Sequence, residues 1–316
     1  MVLGLVSHKL TSKCQKNCGL FLKSFALCLL INKVLPEDAV SNFSLDYLEK
    51  TGSKRGKGKK LVGALSAQKM LIYAPLLKWY LEHGLEITKV HLTIKYKPEV
   101  VFDWLVEKVT EERRKGDVDK NKALFADMFK LLGNSAYGKF IENLEDQTNI
   151  TYTKNEKVVD RTLRSVFFSD TNEIGEAYEL KSRKQRVTID RPFHASIEVY
   201  QLAKLRMLEF YYDFLDRYID RRDFELIQMD TNSFYMAIFD DSLDEIVKPD
   251  MVQEFDREKH EWVAVSDWDK RTPGLFKLEA EGSAMIALCP KCYYLEPFEN
   301  GKTKCSSKGI RTSITI

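Results

Sequence analysis

Residues 130–143 carry polar side chains whose types and spacing suit ligand binding. The segment reads Lys-Leu-Leu-Gly-Asn-Ser-Ala-Tyr-Gly-Lys-Phe-Ile-Glu-Asn, and apolar residues recur at helical spacing through it and its lead-in. On the predicted helix, Lys130, Asn134 and Tyr137 fall at i, i+4 and i+7, so they share one face. A cation, an amide and an aromatic ring along one face could bind a nucleotide.

A second polar group lies in residues 224–239, which read Phe-Glu-Leu-Ile-Gln-Met-Asp-Thr-Asn-Ser-Phe-Tyr-Met-Ala-Ile-Phe. Two β-rich runs flank Asp230, Thr231 and Asn232, which are residue types that turns prefer. The sequence therefore predicts a β-hairpin with these groups at its tip. Such residues are common in turns that bind nothing, so the hairpin alone assigns no ligand.

The cysteines suggest one further kind of site. Cys289 and Cys292 have the spacing of half a zinc site, and Cys305 could be a third ligand. A fourth ligand is not apparent nearby, because Cys14 and Cys18 lie at the far end of the chain. Six cysteines in a chain of this length do not indicate a disulfide framework.

Composition and charge are those of a globular protein. The chain has 316 residues, 44% of them hydrophobic, enough for one large domain or two ordinary ones. A net charge of only +2 means that a nucleic-acid partner would be bound by local basic patches, such as the loop at residues 54–60. The apolar run at residues 25–31 is too short to span a bilayer and has no cleavage site, so we expect an intracellular protein with no membrane anchor or signal peptide.

The elements that must position the two polar groups can be read from periodicity. A helix is predicted over residues 99–114, and Gly116 and Asp117 predict the turn that joins it to the helix of residues 130–143 as a helical hairpin. Upstream, Pro75 and Gly84 bound a helix, and a strand with a bulge follows. A long helix with a broad apolar face begins near Ala195 and precedes the β-hairpin.

The first polar group resembles the fingers motif of the family B DNA polymerases. That motif is Lys, three residues, Asn-Ser, one residue, Tyr-Gly, and it is matched at Lys130, Asn134, Ser135, Tyr137 and Gly138. The resemblance implies that Lys130 binds the incoming triphosphate, that Asn134 and Tyr137 pack around its sugar and base, and that Gly138 allows close approach of the helix backbone.

The second group resembles the palm motif of the same family, Asp-Thr-Asp-Ser. Asp230, Thr231 and Ser233 match it, and Asn232 stands in place of the second Asp. Downstream, the family has Lys, one residue, Tyr, matched at Lys291 and Tyr293, which are expected side by side on a strand and are implied to hold the primer terminus. Lys308 begins a segment similar to the basic segment of the protein-primed branch found in viruses, linear plasmids and DNA transposons.

The resemblance implies an α+β fold, with an antiparallel palm sheet backed by helices and a helical-hairpin fingers subdomain. The expected divisions are an N-terminal segment 1–60, a palm-associated strand-helix-strand unit 61–98, the fingers hairpin 99–143, an irregular connection 144–190 and the palm 191–316. The family's first palm motif, an Asp shortly followed by Ser-Leu-Tyr-Pro, is not found upstream of the fingers motif. We therefore expect a middle portion or degenerate copy of a larger polymerase, without its thumb and exonuclease domain.

The implied chemistry is nucleotidyl transfer from dNTPs to a primer 3′-hydroxyl through two divalent ions, Mg²⁺ or Mn²⁺. Its catalytic residues would be Asp230 and Asn232, the latter a neutral amide where the family has a metal ligand. Glu279 could help Asp230 bind one metal ion, or it could simply pair with Lys277. The implied partners are primer-template DNA, dNTPs and, in this branch, a terminal protein.

Two other hypotheses remain open. In the first, the chain is a noncatalytic relic of a polymerase that still binds DNA through Lys130, Lys291, Lys308 and the basic loop. In the second, it is an interaction module stabilised by zinc at the three downstream cysteines.

Overall fold

The computed structural model of the chain describes residues 2–10, 29–33, 46, 49–50, 60–64, 66–97, 99–144, 147–289, 291–298 and 303–307. Several sequence predictions lie outside these residues, namely those for Lys308, Cys14, Cys18 and residues 54–59 of the basic loop. The chain divides into two compact units, which are residues 1–104 with 200–316, and residues 105–199. None of the helices in the described residues combines the length and apolar content needed to cross a membrane.

The secondary structure is mixed, with helices and antiparallel sheets. The helices are α1 (Ala74–Glu82), α2 (Asp103–Val118), α3 (Ala123–Phe140), α4 (Glu156–Leu163), α5 (Phe193–Glu209) and α6 (Val252–Glu258). The strands are β1 (Val2–Leu10), β2 (Leu29–Lys33), β3 (Lys60–Ala64), β4 (Ser66–Tyr73), β5 (Leu85–Lys95), β6 (Thr148–Thr153), β7 (Phe168–Ile174), β8 (Ala177–Arg183), β9 (Phe224–Asp230), β10 (Ser233–Ile238), β11 (Gly282–Cys289), β12 (Cys292–Pro297) and β13 (Lys304–Ser307). They pair as β4-β1-β5, β2-β3, β6-β8-β7, β9-β10 and β11-β12-β13. This architecture is compatible with a polymerase domain of the predicted α+β class.

The core of the first unit is aromatic, as the broad apolar face of α5 predicted. The helix continues through a π-helical turn (Phe210–Leu215) and a last helical turn (Asp216–Tyr218). Phe214 and Tyr218 are fully buried, and the Phe214 ring lies 5.4 Å from that of Phe255 in α6. Arg221 and Arg222 lie beyond the end of the helix, in the turn that leads to β9.

The π-helical turn is joined to α1 by a polar contact. Asp213 on the turn accepts a hydrogen bond from Trp79 Nε1 at 2.7 Å, and its other oxygen lies 3.0 Å from His83 Nε2. Burial alone would lower the pKa of His83, but the hydrogen bond and charge of Asp213, the Trp79 carbonyl and the charge of Glu82 outweigh it, so that pKa is raised. The contact joins elements about 130 residues apart in the chain.

Near the start of the first unit the sequence predictions are largely confirmed. Pro75 and Gly84 bound α1, and Gly84 has a left-handed φ of 92° that favours glycine. The bulge predicted in β5 is present, because its pairing with β1 passes from Lys89 to Ile87 and omits Thr88. Leu76, Trp79 and Tyr80 form the buried face of α1, whereas Leu81 is exposed.

The helical hairpin of the second unit consists of α2 and α3. The structure confirms both helices, but α2 starts and ends four residues later than predicted. Gly116 is helical rather than part of a turn, and a methyl group there would collide with the Ala126 side chain of α3. The absence of a side chain at Gly116 permits close packing of α2 against α3. The turn falls at Asp119, whose side chain accepts a hydrogen bond from Asn121 N at 3.0 Å.

The rest of the second unit contains more regular structure than expected. Residues 144–190 had been expected to form an irregular connection. Here β6, β8 and β7 form a three-stranded sheet, with α4 between β6 and β7 in the chain. Its helix begins at an Asn155 cap, whose side chain accepts a hydrogen bond from Lys157 N at 3.0 Å.

Candidate functional site

Strands β9 and β10 form the predicted hairpin, with Asp230 at the end of β9 and Asn232 exposed in the turn. Thr231 takes a left-handed φ of 52°, and Asn232 N donates to Asp230 O at 2.6 Å. Phe234 of β10 packs against the aromatic core, with its ring 5.7 Å from that of Phe210. Because the core fixes one face of the ribbon, the tip is held on a rigid element.

A β-bulge turns the polar side chains of β9 away from that core. The pairing passes from Tyr235–Gln228 to Met236–Leu226, which leaves Ile227 as the extra residue. Leu226 therefore shares the core-packed face with Met236, whereas Gln228 and Asp230 lie on the opposite face with Tyr235. Without the bulge, strict alternation would put Asp230 on the core face.

The opposite face of the hairpin meets the residues that matched Lys-x-Tyr. Lys291 Nζ lies 2.6 Å from Asp230 Oδ2, and the rings of Tyr293 and Tyr235 lie 4.9 Å apart. Burial, a hydrogen bond with Tyr293 and the nearby charges of Asp230 and Glu279 raise the pKa of Tyr235. Two segments about 60 residues apart in the chain thus form one polar cluster. Tyr235 was missed from the sequence, because nothing local distinguishes it from any other strand tyrosine.

One detail of this arrangement differs from the prediction. Lys291 was expected on a strand beside Tyr293, but it lies one residue before β12 with a left-handed φ of 67°. The chain reverses direction there between β11 and β12, so that position belongs to the connection rather than the ladder. Lys291 consequently approaches the carboxylate of Asp230, while Tyr293 approaches the ring of Tyr235.

The amide of Gln228 is an orphaned polar group beside Asp230. Its side chain is 8% exposed, and neither its nitrogen nor its oxygen has a hydrogen-bond partner among the described residues. Burial without a partner costs about 1–3 kcal/mol, so such a group is usually satisfied by water or a ligand. The amide oxygen of Gln228 is a hard metal ligand on the same face as Asp230.

Glu279 is engaged by lysines and is not on a strand. Lys277 Nζ lies 3.2 Å from one of its oxygens and Lys304 Nζ 3.5 Å from the other, which matches the simpler of the two interpretations from sequence. Burial alone would raise the pKa of Glu279, but the two lysines outweigh it and that pKa is lowered. The residue lies in the irregular segment before β11.

These residues fit one divalent cation better than two. Mg²⁺ is usually bound by one or two carboxylates together with substrate phosphates and water. Asp230 would supply one carboxylate once Lys291 is displaced, Gln228 and Asn232 would supply amide oxygens, and the carboxylate of Glu279 is held by two lysines. A second ion would lack a carboxylate among the described residues of this cluster, so these side chains do not account for chemistry with two ions.

Helix α3 carries the residues that matched the fingers motif. Lys130 and Asn134 are exposed, Tyr137 is half-buried, and Gly138 has open space where a side chain would project. Within the described residues, Lys130 forms no ion pair, so its charge is available to an anionic ligand. Apolar neighbours such as Leu124 and Leu131 are more than two-thirds exposed, so the apolar stripe that predicted the helix is not covered by the described residues.

Two residues that sequence reasoning missed hold the C-terminal end of α3 within the second unit. The buried hydroxyl of Ser196 in α5 donates to the carbonyl of Tyr137. Arg191 donates to Lys139 O at 2.9 Å and lies 2.5 Å from Glu142 Oε2. Hydrogen bonds from Lys139 and Arg191 lower the pKa of Glu142 to about 2. Long-range contacts of this kind leave no local periodicity from which they could be found.

Other metal-ligand types are grouped elsewhere. Among the described side chains, three potential ligands come within 4.8 Å of one another at Asp240, Asp241 and Glu245, all exposed. A hydrogen bond with Asp240 and the nearby charges of Asp240 and Asp241 raise the pKa of Glu245. Exposed acidic groups are common without a metal, so the cluster alone assigns no site. Cys292 and Cys305 are free thiols, and the side chain of Cys289 is outside the described part of the chain.

Comparison with known protein families supports the resemblance drawn from the motifs. Residues 13–231 match the family model of DNA polymerase type B, organellar and viral. No curated protein and no solved structure matches the chain. The matched residues include the part of α3 that resembles the fingers motif, and they end within the β9–β10 turn. Because the match covers more than half of the sequence, the chain belongs to the organellar and viral type B DNA polymerases and is, by family, a DNA-directed DNA polymerase.

Proposed function

We propose that this chain performs template-directed DNA synthesis, transferring nucleotides from dNTPs to a primer 3′-hydroxyl. The observation that carries the proposal is the contact of Lys291 with Asp230 at 2.6 Å. It joins the palm motif to the Lys-x-Tyr segment, as expected if both act on a primer terminus. The tyrosine rings beside it, 4.9 Å apart, support the same arrangement.

Within this proposal the two units have different roles. Helices α2 and α3 act as the fingers hairpin, in which Lys130 binds the triphosphate and Asn134 and Tyr137 contact the nucleoside. The sheets that carry β9–β10 and β11–β13 act as the palm. Lys291 and Tyr293 hold the primer backbone and groove, and the missing side chain at Gly138 lets the base pair approach α3.

Asp230, Asn232 and the amide of Gln228 are the residues that would hold a divalent cation. When bound, Mg²⁺ or Mn²⁺ supplies electrostatic stabilisation of the charged phosphates. Asp230 orients toward the primer-binding lysine, and Asn232 contributes a weak neutral ligand where a carboxylate would add one negative charge. We expect activity to be low, with Mn²⁺ preferred over Mg²⁺ because Mg²⁺ demands near-ideal octahedral geometry.

Primer extension with the wild type and Asn232→Asp tests this proposal. The substitution adds one carboxylate at the tip and should raise dNTP incorporation with either metal. Gln253→Glu is the matched control, since it adds the same charge at an exposed position of α6 in the same unit. Template-dependent extension that increases only in Asn232→Asp supports the proposal. Failure of both the wild type and Asn232→Asp to extend a primer would exclude the proposed function.

A noncatalytic DNA-binding function is the second candidate. The observation that favours it is charge balance. Lys291 neutralises Asp230, and Lys277 and Lys304 neutralise Glu279, so the cluster is suited to an anionic backbone without a metal. Binding of primer-template by the wild type and by Asn232→Asp, with no extension by either, would favour this candidate.

A further inference from the structure

A cavity of about 680 Å³ in the second unit has no role in the function proposed above. It lies at the end of the sheet where β6 begins and β8 ends, with Asn149 opposite Ser182 in the register. The last turn of α4 contributes Arg161, and the residues after α4 contribute Ser165. All of these elements belong to the compact unit of residues 105–199.

The charge of the cavity is of one sign. Its lining includes Arg161, Arg183, Lys184 and Arg186, all exposed, and none of the described lining residues is a carboxylate. In the part of the chain that the structure describes, none of these four cations forms an ion pair, although Lys184 donates to Gln147 Oε1 at 2.7 Å.

Other cations of the same unit behave differently. Arg164 pairs with Asp160 at 2.9 Å, and Lys154 pairs with Glu176 at 2.8 Å. Lys181 lies 3.1 Å from Glu179 on the same strand. The cations around the cavity differ from these three, because four positive charges line one cavity without being neutralised by described residues.

The uncharged lining suits the oxygens of a phosphate group. Hydroxyl and amide side chains of Asn149, Ser182 and Gln185 border the cavity. Ser165 Oγ accepts a hydrogen bond from Phe167 N at 3.2 Å, which leaves its hydroxyl hydrogen for a ligand. Phosphate groups in nucleic acids are typically bound by Arg and Lys together with Ser, Thr, Asn and Gln side chains. Pockets for apolar small molecules are lined mainly by hydrophobic side chains, whereas this lining has a single aromatic ring, half-buried Phe167.

We propose that this cavity binds the phosphodiester backbone of single-stranded DNA. A single strand can bend into a concave site, whereas duplex DNA is stiff over about 150 base pairs. The volume of about 680 Å³ exceeds what one phosphate needs and admits a short stretch of strand. For the identity of the anion, this inference rests on the proposed polymerase function. It adds a second DNA contact, in the unit that carries the fingers motif and apart from the Lys291 cluster in sequence.

Binding of a fluorescent single strand by the full chain tests the inference. Arg183→Gln with Arg186→Gln removes two cavity charges, and Lys154→Gln with Lys157→Gln removes two exposed charges of the same unit outside the cavity. Counterion release predicts that losing two phosphate contacts lowers the salt slope by about 1.4 and weakens binding about 25-fold at about 0.1 M salt. The control pair should change neither quantity to that extent.

A single variant guards against loss of folding. Arg186 lies after β8, so Arg186→Gln alters no strand residue. This variant should weaken single-strand binding about fivefold at about 0.1 M salt. Competition with duplex DNA and with dATP identifies the source of the phosphate. Selective loss of single-strand binding in the cavity variants supports the inference. Equal losses in both pairs, unchanged binding in the cavity variants, or displacement of the strand by dATP at stoichiometric amounts would overturn it.

Primer extension on the same preparations separates this inference from the proposed function. A wild type that extends primers, with unchanged strand affinity in the cavity variants, overturns the cavity site alone. A chain that binds single strands through the cavity but extends no primer overturns the proposed function and retains the cavity site.

Discussion

Replacing Lys291 should strengthen the binding of a divalent cation at Asp230. Lys291 Nζ lies 2.6 Å from Asp230 Oδ2, and the two side chains are 53% and 20% exposed. A cation that binds this carboxylate must therefore displace the lysine. Lys291→Met removes the competing charge while keeping most of the aliphatic stem.

The magnitude follows from the exposure of the pair. Ion pairs at a protein surface contribute about 0.2–1 kcal/mol. Because the carboxylate of Asp230 is mostly buried, its pair with Lys291 should contribute about 1 kcal/mol. A loss of about 1 kcal/mol of competition corresponds to roughly fivefold tighter cation binding. The effect should shrink at high salt, because the exposed lysine is screened.

Titration with Mn²⁺, followed by electron paramagnetic resonance of the free ion, measures this affinity. Lys270→Met is the matched control. Lys270 Nζ lies 2.6 Å from Asp267 Oδ1 and its side chain is also 53% exposed, but Asp267 belongs to no proposed site. Tighter binding only in Lys291→Met is the expected result. An unchanged affinity in Lys291→Met, or the same gain in both variants, would refute the assignment of Asp230 as a metal ligand.

Three further substitutions test how the fold supports the site. Asp213→Asn should lower the free energy of unfolding most at low pH. The pKa of His83 is raised above its usual 6.5, so its charged pair with Asp213 stabilises the fold fully below pH 6.5 and less as pH rises through the pKa of His83 in the folded protein. Urea unfolding at several pH values checks this. A loss of stability in Asp213→Asn that grows with pH would contradict it. In Gly138→Ala the added methyl meets no protein atom, so the substitution should raise helix stability by up to about 1 kcal/mol. It should nevertheless reduce nucleotide incorporation, because the methyl would occupy the space through which the base pair approaches α3. Unchanged incorporation in Gly138→Ala would argue against close approach of the base pair. Gly116→Ala, whose methyl would meet Ala126, should instead destabilise the helical hairpin by about 1–3 kcal/mol in thermal unfolding.

Local signals predicted the elements that carry the site. Helical periodicity with a fixed motif located α3, and turn-forming residues between β-rich runs located the tip at Asp230. Pro75 and Gly84 located α1 because each acts through its own backbone geometry. These features depend on residues within one or two turns of each other, which is the information that a single sequence contains.

Features set by distant contacts could not be predicted in the same way. Gly116 was interpreted as a turn, whereas its role is to let Ala126 approach from another helix. The bulge at Ile227 depends on the pairing register with β10, and it decides which face of the hairpin carries Asp230. Lys291 meets Asp230 because β11 and β12 return to β9, and no spacing within either segment records that contact.

Single-nucleotide incorporation into a defined primer-template, with Mn²⁺ and the wild type compared with Asp230→Asn, tests the central claim most directly. The proposed polymerase function predicts that the wild type adds the nucleotide complementary to the template, and that Asp230→Asn adds none while still binding the DNA. Equal incorporation by both forms would contradict the assignment of Asp230. Absence of incorporation by the wild type would contradict catalysis by this chain.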